Sequence, residues 1–237
     1  MANPFFRFKQ FTVYHDKCAM KVGTDGVLLG IWANTEDART CLDIGTGTGL
    51  ISLMLAQKKN NLQIKSIDID ADAIIQAKEN ISASPFSKQI ECKLISLQDY
   101  DKECIKKYDL IVSNPPFFND SLKSPDHQRT LARHTDSLTI DELVKISAKL
   151  LSENGKLSLI YPAEYRDTII NIANKNQLSV AKITNVFPTP TASVKRILIE
   201  LSKKGVSMHE DNLVIEIERH VYSDEFRELA KDFYLKL

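Results

Sequence analysis

Residues 40–58 read TCLDIGTGTGLISLMLAQK, and this stretch decides the fold. Thr40–Ile44 is short and apolar, as a strand buried on both faces should be. Gly45, Gly47 and Gly49 follow at once and lead into a helical pattern over Leu50–Lys58. A glycine-rich turn between strand and helix lets a ligand approach the backbone, while the helix N-terminus aims amides at it. The spacing is G-x-G-x-G, with Leu50 where a dinucleotide fingerprint would carry its third glycine. Asp43 adds a carboxylate at the strand end, poorly placed for a pyrophosphate. It suits a ligand bearing an ammonium and a sulfonium.

The chain on either side repeats this strand–helix alternation. Twenty-five residues after Asp43, a second strand over residues 63–69 reaches Asp68-Ile69-Asp70. Asp68 is placed to accept ribose hydroxyls, and Asp70 to cap a helix over residues 71–83. Further strands are expected over 90–95, 108–113 and 156–161, and helices over 140–151, stopping at Asn154-Gly155, and over 163–175. Strands over 179–187 and 196–202 are joined only by PTPTAS, so they pair antiparallel. A last helix is expected over 224–235. The result is an α/β, doubly wound, mostly parallel seven-stranded sheet closed by a C-terminal antiparallel hairpin. No repeat or linker interrupts it. Residues 1–237 therefore read as one domain, with 1–39 as an N-terminal arm.

Composition excludes several classes. The 237 residues are 43% hydrophobic and 26% charged, which argues against disorder and fibrous repeats. The longest apolar run, Val27 to Ala33, makes one strand or two helical turns and cannot cross a bilayer. The opening MANPFFRFKQ lacks the apolar core of a signal peptide. Cys18, Cys41, Cys92 and Cys104 form no C-x-x-C pair, so reduced thiols in a cytoplasmic protein are expected, with no metal. Thirty-one basic residues balance thirty-one acidic ones, which argues mildly against a large phosphate-tracking surface. Local charge remains: Arg7, Lys9, Lys17 and Lys21 face only Asp16 in the first 22 residues. Glu210 and Asp211 read as a solvated face.

The fourth strand runs into Asn114-Pro115-Pro116-Phe117, which lies 71 residues after Asp43. Ligands of open parallel sheets sit outside the C-terminal strand ends, so this tetrapeptide faces the same crevice as the glycines. Two prolines bring no N–H groups and leave local carbonyls available as acceptors. The Asn114 amide both accepts and donates. Together they can hold an NH2 group from two sides, and Phe117 offers a face on which a planar base stacks.

Asp43–Gly49 with Asn114–Phe117 resembles the S-adenosylmethionine-dependent amino methyltransferases that modify adenine N6 or glutamine. Upstream, Phe11-Thr12-Val13 and KVGTDGVLLG at residues 21–30 resemble the segment preceding the fold in the bacterial tRNA(Val) adenine-37 N6-methyltransferases. The tail from Pro188 to Leu201, with Lys195-Arg196-Ile197-Leu198, does so too. The resemblance covers nearly the whole chain. It implies a Rossmann-like class I methyltransferase that moves a methyl group from S-adenosylmethionine to N6 of adenine 37 in the anticodon loop. By that resemblance Asp43, Gly45, Gly47, Gly49 and Asp68 bind the cofactor, while Asn114, Pro115, Pro116 and Phe117 hold the target base. The family's acidic residue at the end of the third strand, which meets the cofactor adenine, has Ser96 in its place here, and Asp99, three residues later, is the other candidate for that cofactor contact.

Lys21, Arg129, Arg133, Lys195 and Arg196 are the candidate contacts to tRNA. The loop after Phe117 has no clear periodicity, as functional loops beside a crevice often lack. Methylation of a protein glutamine would want a long N-terminal recognition domain, and DNA adenine methylation a target-recognition domain; neither has room here. Both stay as alternatives to the tRNA reading, together with N6-adenine methylation of another RNA. An NAD-dependent oxidoreductase is disfavoured by the glycine spacing, and a catalytically silent binding protein by the complete NPPF. A monomer is expected, since no apolar helix face is left over.

Overall fold

The short apolar runs of the sequence become strands of one sheet, and the amphipathic runs between them cover its two faces. The computed structural model describes residues 3–18, 21–116 and 138–237. An N-terminal hairpin, β1 (Phe5–Arg7) and β2 (Thr12–Tyr14), precedes helix α1 (Thr24–Trp32). The alternating part follows as β3 (Thr40–Ile44), α2 (Leu50–Lys58), β4 (Gln63–Asp68), α3 (Ala71–Ser82), β5 (Ile90–Leu94), α4 (Leu97–Glu103) and β6 (Tyr108–Ser113). Beyond it come α5 (Ile140–Leu150), β7 (Leu151–Pro162), a 3-10 turn (Ala163–Tyr165), α6 (Arg166–Lys175), β8 (Ser179–Phe187) and β9 (Arg196–Ser202). The chain closes with β10 (His209–Val214), β11 (Glu216–Glu218), β12 (Val221–Tyr222) and α7 (Asp224–Ala230).

The main sheet has the order β10-β8-β9-β7-β6-β3-β4-β5. Within it only β9 runs against its neighbours, pairing antiparallel with both β7 and β8. From β3 the chain moves outward through β4 and β5, then returns to the other side of β3 as β6. That reversal opens a crevice between β3 and β6, where doubly wound sheets bind their ligands. Two apolar layers flank the sheet. One joins α1, α2, α3 and α7 to the N-terminal hairpin; the other joins α4, α5 and α6. In the first layer the two chain ends clasp each other. Phe8 stacks on Phe11 at 4.8 Å, the rings of Phe6 and Phe8 lie 5.7 and 6.0 Å from Tyr234, and the Lys9 amide donates to the Phe233 carbonyl. No helix of the described residues is long and apolar enough to cross a membrane.

Several boundaries differ from expectation for identifiable reasons. Helix α5 ends at Leu150, and Asn154-Gly155 lies within β7 instead of stopping a helix. A Cβ at Gly155 would fall 2.6 Å from the Tyr108 carbonyl oxygen, at the point where β7 shifts register against β6. The glycine is needed for close strand contact there, and not for a helix cap. The last helix stops at Ala230, because Phe233 turns inward and is buried. An eighth strand, β10, pairs in parallel with β8 where a solvated acidic face was expected. As an edge strand it tolerates polar residues: Glu210 meets Arg166 and Asn185, and Asp211 meets Thr184 and Lys182. The 27–33 run, open between strand and helix in sequence, belongs to α1.

Candidate active site

Parallel register brings the functional segments to one edge. Ile44 pairs with Ile67 on one side and with Ser113 on the other, and Asp68 pairs with Leu94. The glycine loop, Asp68 and Asn114 therefore emerge side by side across the crevice. Because β9 is reversed, it delivers its first residue to this edge: Arg196 pairs with Pro162 at the end of β7.

The loop after β3 is held from beneath. Gly45, Gly47 and Gly49 all have positive φ, at 71°, 55° and 82°. Only glycine adopts such angles without penalty, and no neighbouring heavy atom lies within 4 Å of a Cβ at Gly45 or Gly47. The cradle is open where a ligand would lie. Asp68 fixes its shape, since one carboxylate oxygen accepts from the Gly47 amide at 2.8 Å and the other from the Asp70 amide at 3.0 Å. Asp70 caps α3 as expected, accepting from the Asp72 and Ala73 amides. Asn80 in α3 is buried and ties the loop to the N-terminal hairpin. Its amide nitrogen donates to the carbonyls of Thr48 and Tyr14, and its oxygen accepts from the Tyr14 amide.

Asp43 lies under this loop at 0% exposure. Its Oδ2 accepts from the hydroxyls of Thr46 and Ser52, both at 2.7 Å, and Ser52 continues to Ser66 at 2.7 Å. Its Oδ1 is buried with no partner. Burial pushes the Asp43 carboxyl up to about 6, and the Asp68 charge adds to the rise, while the two hydroxyls oppose it. Burial also raises Asp68, against the pull of the backbone amides it accepts. An orphaned carboxylate oxygen below an open backbone cradle fits a cationic ligand with a ribose. Sequence reading missed Thr46, Ser52 and Ser66; the signal was there, since Ser52 interrupts the apolar run from Leu50 to Ala56.

On the other side of the crevice Asn114 is half-buried, Pro115 buried and Pro116 exposed. Ser113 anchors the strand end by donating to the Ile44 carbonyl at 2.8 Å. The start of α1 packs against both walls. A Cβ at Gly26 would lie 3.9 Å from the Asn114 amide nitrogen and 3.1 Å from a Leu50 methyl. Phe117, Arg129 and Arg133 lie outside the described residues. Lys21 and Lys195 are exposed. Arg196 is engaged within the protein, donating from Nε to Asp25 at 2.8 Å. At the end of β5, Ser96 caps α4 and also donates to Asp99, whose other oxygen meets Lys102. Those contacts hold the Asp99 carboxyl below its ordinary value and commit it to the helix start.

A glycine cradle and an amide-proline wall on the two sides of a switch point define a group-transfer enzyme of the doubly wound class. The chain belongs to the methyltransferase small domain family, whose model matches residues 20–182. A protein of Parabacteroides distasonis named tRNA1(Val) (adenine(37)-N6)-methyltransferase is 55% identical over 100% of both chains. Proteins of the same name from Phocaeicola vulgatus and Trichodesmium erythraeum are 49% and 48% identical, over 100% and 98% of each chain. Among solved structures, a predicted O-methyltransferase from Agrobacterium tumefaciens superposes with a TM-score of 0.70 at 16% identity, covering 88% of this chain and 96% of its own. A ribosomal protein L11 methylase from Lactobacillus delbrueckii gives 0.53 at 18% identity, covering 76% and 77%. These structural likenesses show the fold.

Proposed function

We propose that this chain transfers a methyl group from S-adenosylmethionine to N6 of adenine 37 in the anticodon loop of tRNA1(Val). Residues 1–237 act as one methyltransferase domain, as a monomer in the cytoplasm. The observation that carries the reading is the pairing of the open glycine cradle with Asn114-Pro115 across one crevice. Full-length relatives that bear this activity in their name support the choice of substrate.

Asp43, Gly45, Gly47, Gly49 and Asp68 would hold the cofactor, which supplies an electrophilic methyl group on a sulfonium. The buried Asp43 carboxylate places negative charge beneath the cradle for a cationic ligand, and the Asp68 oxygens keep lone pairs for ribose hydroxyls. Asn114 Oδ1 and a proline carbonyl accept hydrogen bonds from the exocyclic amine of adenine. As the nitrogen gains positive charge, these acceptors stabilise it, and alignment supplies much of the rate. Phe117 stacks on the base, which leaves its own stack at a cost of a few kcal/mol, roughly. Lys21 and Lys195 contact phosphate, with Arg129 and Arg133 from the segment after Phe117.

Parallel incubations of methyl-labelled S-adenosylmethionine with unmodified total tRNA, cell protein and unmethylated DNA, followed by nucleoside and amino-acid analysis, test this. Label in N6-methyladenosine confined to valine tRNA is the expected result. Label on protein glutamine or DNA adenine instead would overturn the substrate.

A further inference from the structure

We infer that the ion pair between Asp25 and Arg196 is a positioning strut that sets Asn114 for its amine; this rests on the methyl-transfer reading above. Asp25 belongs to the first turn of α1, and Arg196 opens the reversed strand β9. Arg196 Nε donates to Asp25 Oδ2 at 2.8 Å, and its Nη1 donates to the Lys195 carbonyl at 3.0 Å. The guanidinium is thereby anchored to the sheet edge on one side and to the helix on the other.

Among the described residues the helix start has no other polar clamp of this kind. Its cap residue is Gly23, which offers no side-chain hydrogen bond to the helix amides. The adjoining Gly26 lies between both halves of the crevice: a Cβ built on it would fall 3.9 Å from the Asn114 amide nitrogen and 3.1 Å from a methyl of Leu50, the first residue of α2. A sideways movement of the α1 start therefore moves the wall behind Asn114. A partly exposed ion pair contributes little to global stability. Its effect is expected where placement at the ångström scale controls rate. The pair also explains why an arginine at the active edge need not be an RNA contact: its charge is neutralised by Asp25.

The test compares wild type with Arg196→Gln, Arg196→Lys, Asp25→Asn and the double variant Asp25→Asn with Arg196→Gln. Methyl transfer to tRNA is measured at two ionic strengths, and amide exchange across residues 27–31 is measured without substrate. Each neutralising single variant is expected to lower kcat about tenfold, while KM for tRNA stays within about twofold. The double variant is expected to be no slower than either single, because both remove the same link. Arg196→Lys recovers most of the rate. Exchange across residues 27–31 accelerates in the neutralised variants, with little change in melting temperature.

Additive losses, or unchanged exchange, would overturn the strut. So would a rise in tRNA KM with a flatter salt dependence in Arg196→Gln while Asp25→Asn is silent, since that marks a phosphate contact. A wild-type protein that transfers no methyl group to tRNA sinks the reaction assignment separately. Exchange in the same proteins then still decides whether the pair holds α1.

Discussion

Asp43→Asn should remove from the stability curve a contribution that falls as pH rises between about 4 and 6. The folded protein keeps this carboxyl fully buried, with one oxygen unpartnered, and burial pushes it up to about 6. The ordinary carboxyl value is about 3.9, so at about 1.4 kcal/mol for each tenfold the ionised group costs about 3 kcal/mol at neutral pH. The sign follows from the raised value. Below about pH 4 both folded and unfolded chains carry the proton and no cost appears. As pH climbs through about 6 the unfolded chain has already released its proton, so wild-type stability falls. Asparagine has no proton to lose. Its amide nitrogen takes the orphaned position, a penalty that does not vary with pH. Urea denaturation across this range is the assay. Relative to wild type, the variant should gain about 3 kcal/mol between pH 4 and pH 7, roughly. Asp68 is raised in the same direction, but it is present in both proteins and largely cancels in the difference. Parallel curves would refute the burial argument. A variant that also binds S-adenosylmethionine as tightly as wild type would remove Asp43 from the cofactor site.

Three further outcomes are expected. Asn114→Ala should lower methyl transfer by about a hundredfold or more, measured with labelled cofactor, and leave cofactor affinity by calorimetry nearly intact. Gly47→Ala forces an alanine to a φ of 55° and points a methyl into the open cradle. It should cost about 1–2 kcal/mol in stability and weaken cofactor binding further than that strain explains. Gly30→Ala places a Cβ 2.5 Å from the Met54 sulfur and 3.0 Å from its Cβ, at the α1–α2 contact. Thermal denaturation should show a loss of about 1–3 kcal/mol from overpacking.

The sequence carries the alternating centre of the fold and carries its margins less well. Strands β3 and β6 lie where their apolar runs end, because a parallel strand buried on both faces leaves a continuous signature. Strand β10 is polar, since an edge strand has only one neighbour to satisfy, and HEDNLV reads as surface. Helix α1 is apolar nearly all round, so its period is invisible. At the site, Asp43, the three glycines, Asp68 and Asn114 announce themselves by spacing and come together at the sheet edge. Asp99 does not join them as a free acid, because Ser96 and Lys102 already engage it. Arg196 looks in sequence like a cation for phosphate, and only the fold reveals Asp25 beside it, 171 residues away. Long-range pairing of this sort leaves no mark in local patterning.

The clasp between the chain ends bears on synthesis. A ribosome releases the hairpin of Phe6, Phe8 and Phe11 well before Tyr234, which packs on Phe6 and Phe8, and before Phe226 and Phe233 of the same apolar layer, more than two hundred residues further on. Until then the hairpin has lost part of its apolar cover, although Asn80 can already tie it to the glycine loop. The cofactor cradle is thereby linked, through one asparagine, to a layer that only α7 and the turn after it complete. A nascent chain stalled short of Phe226 exposes a patch of phenylalanine rings, the kind of surface that chaperones and proteases recognise, before any methyl group can be moved.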